Sequence, residues 1–103
     1  MAVVELFRAL GDPNRLEMVK RLSSDETFTI NTVSQGLMIT RQGARKHLQI
    51  LVDSELVLLK PMGRDTRVLL NKAKLDEGRI FMLELERQWE VRLATLRQVV
   101  EGD

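Results

Sequence analysis

Hydrophobic residues recur every three or four positions over most of the chain, a spacing that predicts a mainly α-helical domain. Residues 3–10 and 13–22 form the first two helical segments. Gly11 ends the first in a position that tolerates a left-handed backbone, and Asp12 is a good N-cap for the second, with Pro13 at its first helical position. We therefore expect two short helices joined by a tight corner.

The middle of the chain predicts two more helices, joined by a turn. Residues 27–30 are β-favouring and short enough for a brief edge strand. Residues 33–37 have the apolar spacing of a short third helix, and a two-residue turn follows. Thr40 then caps a longer helix with its hydroxyl, which we expect at about residues 40–54 and name the reading helix.

The reading helix has two chemically different faces. At about 100° per residue, the inward face carries Ala44, His47, Leu48 and Leu51. The outward face carries Gln42, Arg45, Lys46 and Gln49. A helix-turn-helix whose second helix has a cationic and amide-rich outer face is the arrangement that places this helix in the major groove. The pattern therefore predicts double-stranded DNA as the partner.

A β-hairpin follows the reading helix. Residues 56–60 and 66–70 are β-rich, and Gly63 between them is available for a positive φ. Pro61 cannot donate to a strand ladder, so we expect it at the end of the hairpin, where the chain leaves the pairing. We name residues 56–70 the wing.

Eight polar or cationic residues are candidate DNA contacts. Gln42 and Gln49 suit adenine edges, Arg45 suits guanine, and Thr40 or the helix N-terminus suits phosphate. We expect the two arginines of the wing to contact phosphates or the minor groove. The full set is Thr40, Arg41, Gln42, Arg45, Lys46, Gln49, Arg64 and Arg67.

The last helix, expected at about residues 75–100, carries an apolar stripe with three- and four-residue spacing along its length. A domain this small has little core left to bury such a helix, so a second subunit is the natural cover. We expect a homodimer formed by the N- and C-terminal helices. The interface residues of this prediction are Val3, Phe7, Phe81, Met82, Leu85, Trp89, Leu93 and Leu96.

Composition sets limits on this interpretation. The 103 residues, 44% hydrophobic and 30% charged, suit a single globular domain spanning residues 1–103. The net charge is only +1, but residues 40–70 contain six Lys or Arg against three acids, whereas residues 73–103 contain five against seven. Positive charge is therefore concentrated on the reading helix and wing. No membrane span or signal pattern is present, so we expect a cytoplasmic protein without a membrane partner.

Two motifs resemble the ArsR-type family of winged helix-turn-helix regulators. LGDPNRL at residues 10–16 is similar to the family's entry into its second helix, and TRQGARKHL at residues 40–48 is similar to its reading-helix signature. SELV at residues 54–57 stands where the family usually has Ala-Gly-Leu-Val, and GRDTR at residues 63–67 is similar to its wing. The resemblance covers nearly the whole chain and implies a homodimeric repressor that binds a palindromic operator.

The chain departs from the metal-sensing branches of that family. It has no cysteine, and its one histidine, His47, lies outside the last helix, so we expect no metal and no other cofactor. On the packed side of its helix, His47 is expected to hydrogen-bond to backbone or to reach a phosphate. Within the family, WEVRL at residues 89–93 resembles a branch without metal sites. A small-molecule effector is left open but is not indicated.

Other classes of function fit the sequence less well. An enzyme is not expected, because there is no cysteine nucleophile, no Ser-His-acid constellation and no phosphate-cradling glycine loop. The alternative that remains is a winged-helix module for protein interaction, which would fail to bind duplex DNA even at low salt.

Overall fold

The computed structural model describes residues 2–102, and these residues form four helices and three strands. Their order is α1 (Ala2–Leu10), α2 (Pro13–Leu22), β1 (Phe28–Thr29), α3 (Arg41–Asp53), β2 (Val57–Met62), β3 (Asp65–Leu70) and α4 (Lys72–Glu101). The fold is mainly α-helical with a small antiparallel sheet. In the described part of the chain, no helix is both long and apolar enough to cross a membrane.

The corner between α1 and α2 is held by side chains on both sides. Asp12 has extended backbone, and its Oδ1 accepts the N–H groups of Asn14 at 2.8 Å and Arg15 at 3.1 Å. The Arg15 side chain turns back and donates from Nε to the Ala9 carbonyl at 2.7 Å. The unpaired N–H groups at the start of α2 and a carbonyl at the end of α1 are therefore both satisfied.

The helix predicted at residues 33–37 is wrong, because residues 30–36 form consecutive turns. Five residues are too few to offset the cost of nucleating a helix, and Gly36 ends the turns with a φ of 81°. Arg21 of α2 donates to the carbonyls of Val33 at 3.2 Å and Gln35 at 2.6 Å. This turn segment is therefore held by a neighbouring helix in addition to its own turn hydrogen bonds, such as Val33 N–H to the Thr29 carbonyl at 3.0 Å, and Val33 is fully buried.

The three strands form an antiparallel sheet in the order β1-β3-β2. The predicted position of Pro61 is wrong: it lies inside β2, opposite Thr66, and the turn contains only Gly63, with a φ of 62°, and Arg64. Proline is tolerated there because β2 is an edge strand, which leaves one side without a ladder partner. The paired strands of the wing therefore extend further towards the tip, and its turn is shorter, than the sequence suggested.

The core joins the helices to the sheet. Its most deeply buried side chains are Leu6, Met18, Val33, Leu51, Leu56, Val57 and Val68. Helix α1 also packs against the first part of α4, where Gly78 permits a close approach: a Cβ at this position would lie 2.9 Å from Leu6 Cδ2. The rings of Phe7 and Phe81 meet beside it, with centroids 5.8 Å apart.

Beyond this contact, α4 leaves the body of the domain. Every residue from Met82 to Gly102 is exposed, and the chain measures 70 × 27 × 25 Å along its principal axes. A helix of 30 residues is about 45 Å long. Its outer part is therefore an apolar-striped rod without a covering surface in the single chain.

Candidate nucleic-acid interface

The reading helix is α3, and both of its ends are capped. Thr40 precedes it with extended backbone, and its Oγ1 accepts the N–H of Gly43 at 2.9 Å. Ser54 follows it and donates from Oγ to the Leu51 carbonyl at 3.0 Å. Leu48 and Leu51 are buried, so the inward face anchors the helix to the core. The rotation of α3 about its own axis is fixed by these contacts.

The outward face of α3 is open along its length. The five outward side chains are exposed, and they are Arg41, Gln42, Arg45, Lys46 and Gln49. None of the three cations takes part in an ion pair within the described chain. Gln49 is the exception to this freedom, because its Nε2 donates to Asp53 Oδ1 at 2.8 Å. This bond uses one of the two amide N–H donors of Gln49 and restrains its side chain, and the second N–H and the carbonyl oxygen remain available to a base.

His47 is half-buried and faces α2, but the expected backbone hydrogen bond is not what holds it. Its Nδ1 lies 2.9 Å from a terminal nitrogen of Arg15. A guanidinium can only donate, so Nδ1 accepts and the ring proton is on Nε2. Arg15 thus connects the end of α1, the start of α2 and the reading helix, a role that the sequence pattern did not reveal.

Asp12 completes this junction. Its Oδ1 lies 3.8 Å from His47 Nδ1. Burial raises the pKa of the Asp12 carboxyl, but hydrogen bonds from the backbone N–H groups of Arg15 and Asn14, together with the positive charge of the Arg15 side chain, outweigh it, and the pKa is lowered. The ionised form is therefore the one that the native structure favours.

The wing separates two arginines that the sequence treated alike. Arg64 is exposed in the turn at the tip of the hairpin. Arg67 is half-buried on the central strand β3, opposite Lys60 on one side and Thr29 on the other. The Nε of Arg67 is buried without a hydrogen-bond partner. Arg64 is thus the freer of the two to reach a polyanion.

The apolar positions expected at a subunit interface lie along α1 and one side of α4. Val3 and Phe81 are half-buried, and the other members are exposed, namely Phe7, Met82, Leu85, Trp89, Leu93 and Leu96. Trp89, the only tryptophan, is 55% exposed. The stripe continues outward from the Phe7–Phe81 contact, so the packing of α1 on α4 and the uncovered part of α4 form one surface.

Metal ligation receives no support from the arrangement of side chains. Across residues 2–102, no group of three or more His, Asp and Glu side chains is placed to hold a metal ion. Lys74, buried at the start of α4, lies instead 3.1 Å from Glu77 and 3.6 Å from Glu55. Its hydrogen bond to Glu77 raises the pKa of the Lys74 ammonium. The Lys74–Glu55 pair fastens α4 to the residue that precedes the wing.

Comparison with known proteins agrees with the helix-turn-helix geometry. Residues 10–59 match a family described as a helix-turn-helix domain. The chain is 33% identical over 76 residues to the uncharacterized HTH-type transcriptional regulator YuzN of Bacillus subtilis (strain 168), a match that covers 68% of this chain and 83% of the relative.

Solved structures extend the similarity to the whole chain. An ArsR-like transcriptional regulator from Rhodococcus sp. RHA1 superposes with a TM-score of 0.82 at 26% identity, over 99% of this chain and 95% of that one. The homodimeric winged helix-turn-helix DNA-binding domain of Mb0332 from Mycobacterium bovis shares the fold, with a TM-score of 0.65 at 16% identity over 86% of this chain and 82% of that one. These relatives are described as regulators of transcription, not as enzymes.

Proposed function

The chain belongs to the ArsR-type family of helix-turn-helix transcriptional regulators and is a DNA-binding regulator, and from that premise we propose that it acts as a homodimeric repressor. Two copies would associate through α1 and α4 and bind an imperfect palindrome. In this arrangement the two reading helices enter successive major grooves, about 34–36 Å apart on one face of the duplex. A dimer bound at a promoter would block access of the polymerase. This role implies a cytoplasmic location beside the DNA.

One observation carries the DNA-contact part of this proposal: the outward face of α3 presents Arg41, Arg45 and Lys46 without ion pairs in the described chain. Exposed cations that no protein carboxylate neutralises retain their full attraction for phosphate. Gln42 beside them is an amide that can pair with an adenine edge. Arg64 at the wing tip is a further exposed cation.

The dimer part of the proposal rests on the apolar stripe of α4. Interfaces of homodimers are more apolar than the rest of a protein surface, and aromatic residues and Met are enriched in them. Met82, Trp89 and Leu93 provide such residues on one side of a helix that its own domain does not cover. The absence of cysteine and the engagement of His47 with Arg15 support placing the protein in a branch without metal sites.

The test of the proposal begins with selection of bound duplexes from a random pool, followed by titration of the selected duplex at several salt concentrations. The logarithm of the affinity should fall with the logarithm of salt, with a slope of about −0.9 for each phosphate neutralised. A flat salt dependence, or no selected sequence at low salt, would favour the protein-interaction alternative.

Single substitutions then separate the roles of the residues. Arg45→Ala should relax the preference at one base position, by about 1–3 kcal/mol, whereas Arg64→Ala should weaken all duplexes about equally. Arg97→Ala, which removes an exposed cation from α4, is the matched control and should change neither property. The reverse pattern for Arg45 and Arg64 would overturn the assignments.

A further inference from the structure

A groove of about 420 Å³ lies between the turn segment and the reading helix. Its apolar lining consists of Ile30 from the turn segment, Ile39 just before the cap of α3, and Ala44 and Leu48 from α3. Ligand sites for small molecules have volumes of about 300–1,000 Å³ and combine apolar walls with a few polar groups. The groove has the size and the apolar component of such a site.

The polar lining of the groove is cationic and rich in donors. Arg41 and Arg45 line it, both exposed and neither in an ion pair within the described chain. Thr40 also lines it, and because its Oγ1 already accepts the Gly43 N–H, its hydroxyl hydrogen is available to donate. Ser34 adds a second hydroxyl. Asn31 and Gln35 add amides, and the groove lining contains no carboxylate.

We infer that this groove binds a small organic anion, with its carboxylate or phosphate against Arg41 and Arg45 and its apolar part on Ile39 and Leu48. Guanidinium groups match both anions with paired hydrogen bonds. A bare phosphate, from solution or from a DNA strand, would leave the apolar walls in water. The combination of linings therefore selects an anion that carries an apolar group.

The effect of the anion on DNA binding rests on the proposed function. Arg41 and Arg45 belong both to the groove and to the outward face of α3, so one guanidinium cannot bind the small anion and DNA fully at the same time. Occupancy of the groove therefore weakens DNA binding by competition, which makes the anion an inducer that releases the operator.

Phenyl phosphate, with inorganic phosphate as the comparison, is a suitable probe. In amide NMR spectra of the full chain without DNA, phenyl phosphate should cause saturable shifts at Ser34, Gly43 and Ala44. Inorganic phosphate should bind at least tenfold more weakly. Equal affinity for the two probes, or the absence of saturable shifts at these amides, would overturn the inference.

Filling the groove gives the matched variant. Ser34→Leu places a bulky side chain in the groove, and Ser34 is not among the proposed DNA contacts. The substitution should lower the affinity for phenyl phosphate at least tenfold. Ser24→Leu makes the same chemical change at an exposed position away from the groove and should have no effect. If Ser34→Leu does not fold, Arg41→Ala gives the same expectation for the probe. Unchanged binding in the folded groove variant would contradict the site.

Competition with DNA distinguishes the two proposals. With the wild type, phenyl phosphate should raise the apparent Kd for the selected duplex in proportion to its concentration. With Ser34→Leu, the same rise should need at least a tenfold higher concentration of phenyl phosphate. Duplex binding that is insensitive to bound phenyl phosphate would refute the inducer role and leave the proposed function standing. Saturable probe binding by a protein that binds no duplex would refute the proposed function and leave the site standing.

Discussion

Single residues fix the junctions from which the reading helix is presented. Asp12 caps α2, and Arg15 joins the α1 carboxyl end to His47 on α3. Glu55, directly after the cap of α3, has a φ of 64°, a left-handed conformation that side-chain-bearing residues rarely adopt. Its Oε2 lies 3.6 Å from Lys74 of α4. Local chemistry at these points sets how α3 meets α2, the wing and α4.

Asp12 should make the stability depend on pH in the acid range. Its pKa is lowered in the folded state, so the stabilisation is present at neutral pH and is lost as the pH falls below about 4 and through the lowered value. Asp12→Asn keeps a capping oxygen without the charge. Urea unfolding should show the wild type more stable than Asp12→Asn at pH 7, with the difference shrinking towards pH 3. A constant difference across this range would contradict the lowered pKa.

Glu55 should yield a more stable protein when replaced by glycine than when replaced by alanine. Both substitutions remove the interaction with Lys74, but only glycine adopts the left-handed backbone without a steric cost of about 1 kcal/mol. Glu55→Gly should therefore exceed Glu55→Ala in free energy of unfolding by about that amount in urea titrations. Equal stability of the two variants would show that the backbone is not left-handed there.

Among the elements, α1 and the first part of α4 pack together, and the rest of α4 extends from this contact. Their close approach depends on Gly78, because any side chain there meets the buried Leu6. The wing, by contrast, depends on an edge strand that accommodates Pro61 within its pairing. The turn segment and the reading helix lie between these two supports, and Arg21 fastens the turn segment.

Gly78→Leu should disturb the α1–α4 contact. Forcing extra carbons into a packed site costs about 1–3 kcal/mol, and we expect a loss of that size in the free energy of unfolding. Ala73→Leu enlarges an exposed residue on the same helix and should change stability by about 0.5 kcal/mol or less. Losses of equal size in the two variants would argue against close packing at Gly78.

Periodicity predicted the positions of the four helices α1 to α4, because the spacing of apolar residues in a helix depends on local sequence. The helix-turn-helix fold was confirmed by the comparisons. The error at residues 33–37 arose because a tertiary partner, Arg21, stabilises turns in place of a short helix. The Arg15–His47 pair and the half-burial of Arg67 depend on contacts between distant segments, which spacing along the chain does not encode.

For the whole molecule, the account requires a second copy over the stripe of α4. Trp89→Glu puts a charge in the centre of the proposed interface and should raise the dimer dissociation constant by at least about a hundredfold, as expected for a central aromatic anchor. Val91→Glu lies two residues away, about 200° around the helix, and is the matched control. Sedimentation velocity over a range of concentrations measures both. A wild type that stays monomeric at every concentration would end the dimer proposal.

The most direct measurement of the central claim is a hydroxyl-radical footprint of the selected duplex. Two reading helices held by one dimer should protect two patches on the same face, with centres about 10–10.5 base pairs apart. Both patches should appear at the same protein concentration, and both should weaken with Trp89→Glu. A single patch, or two that fill independently, would contradict the account.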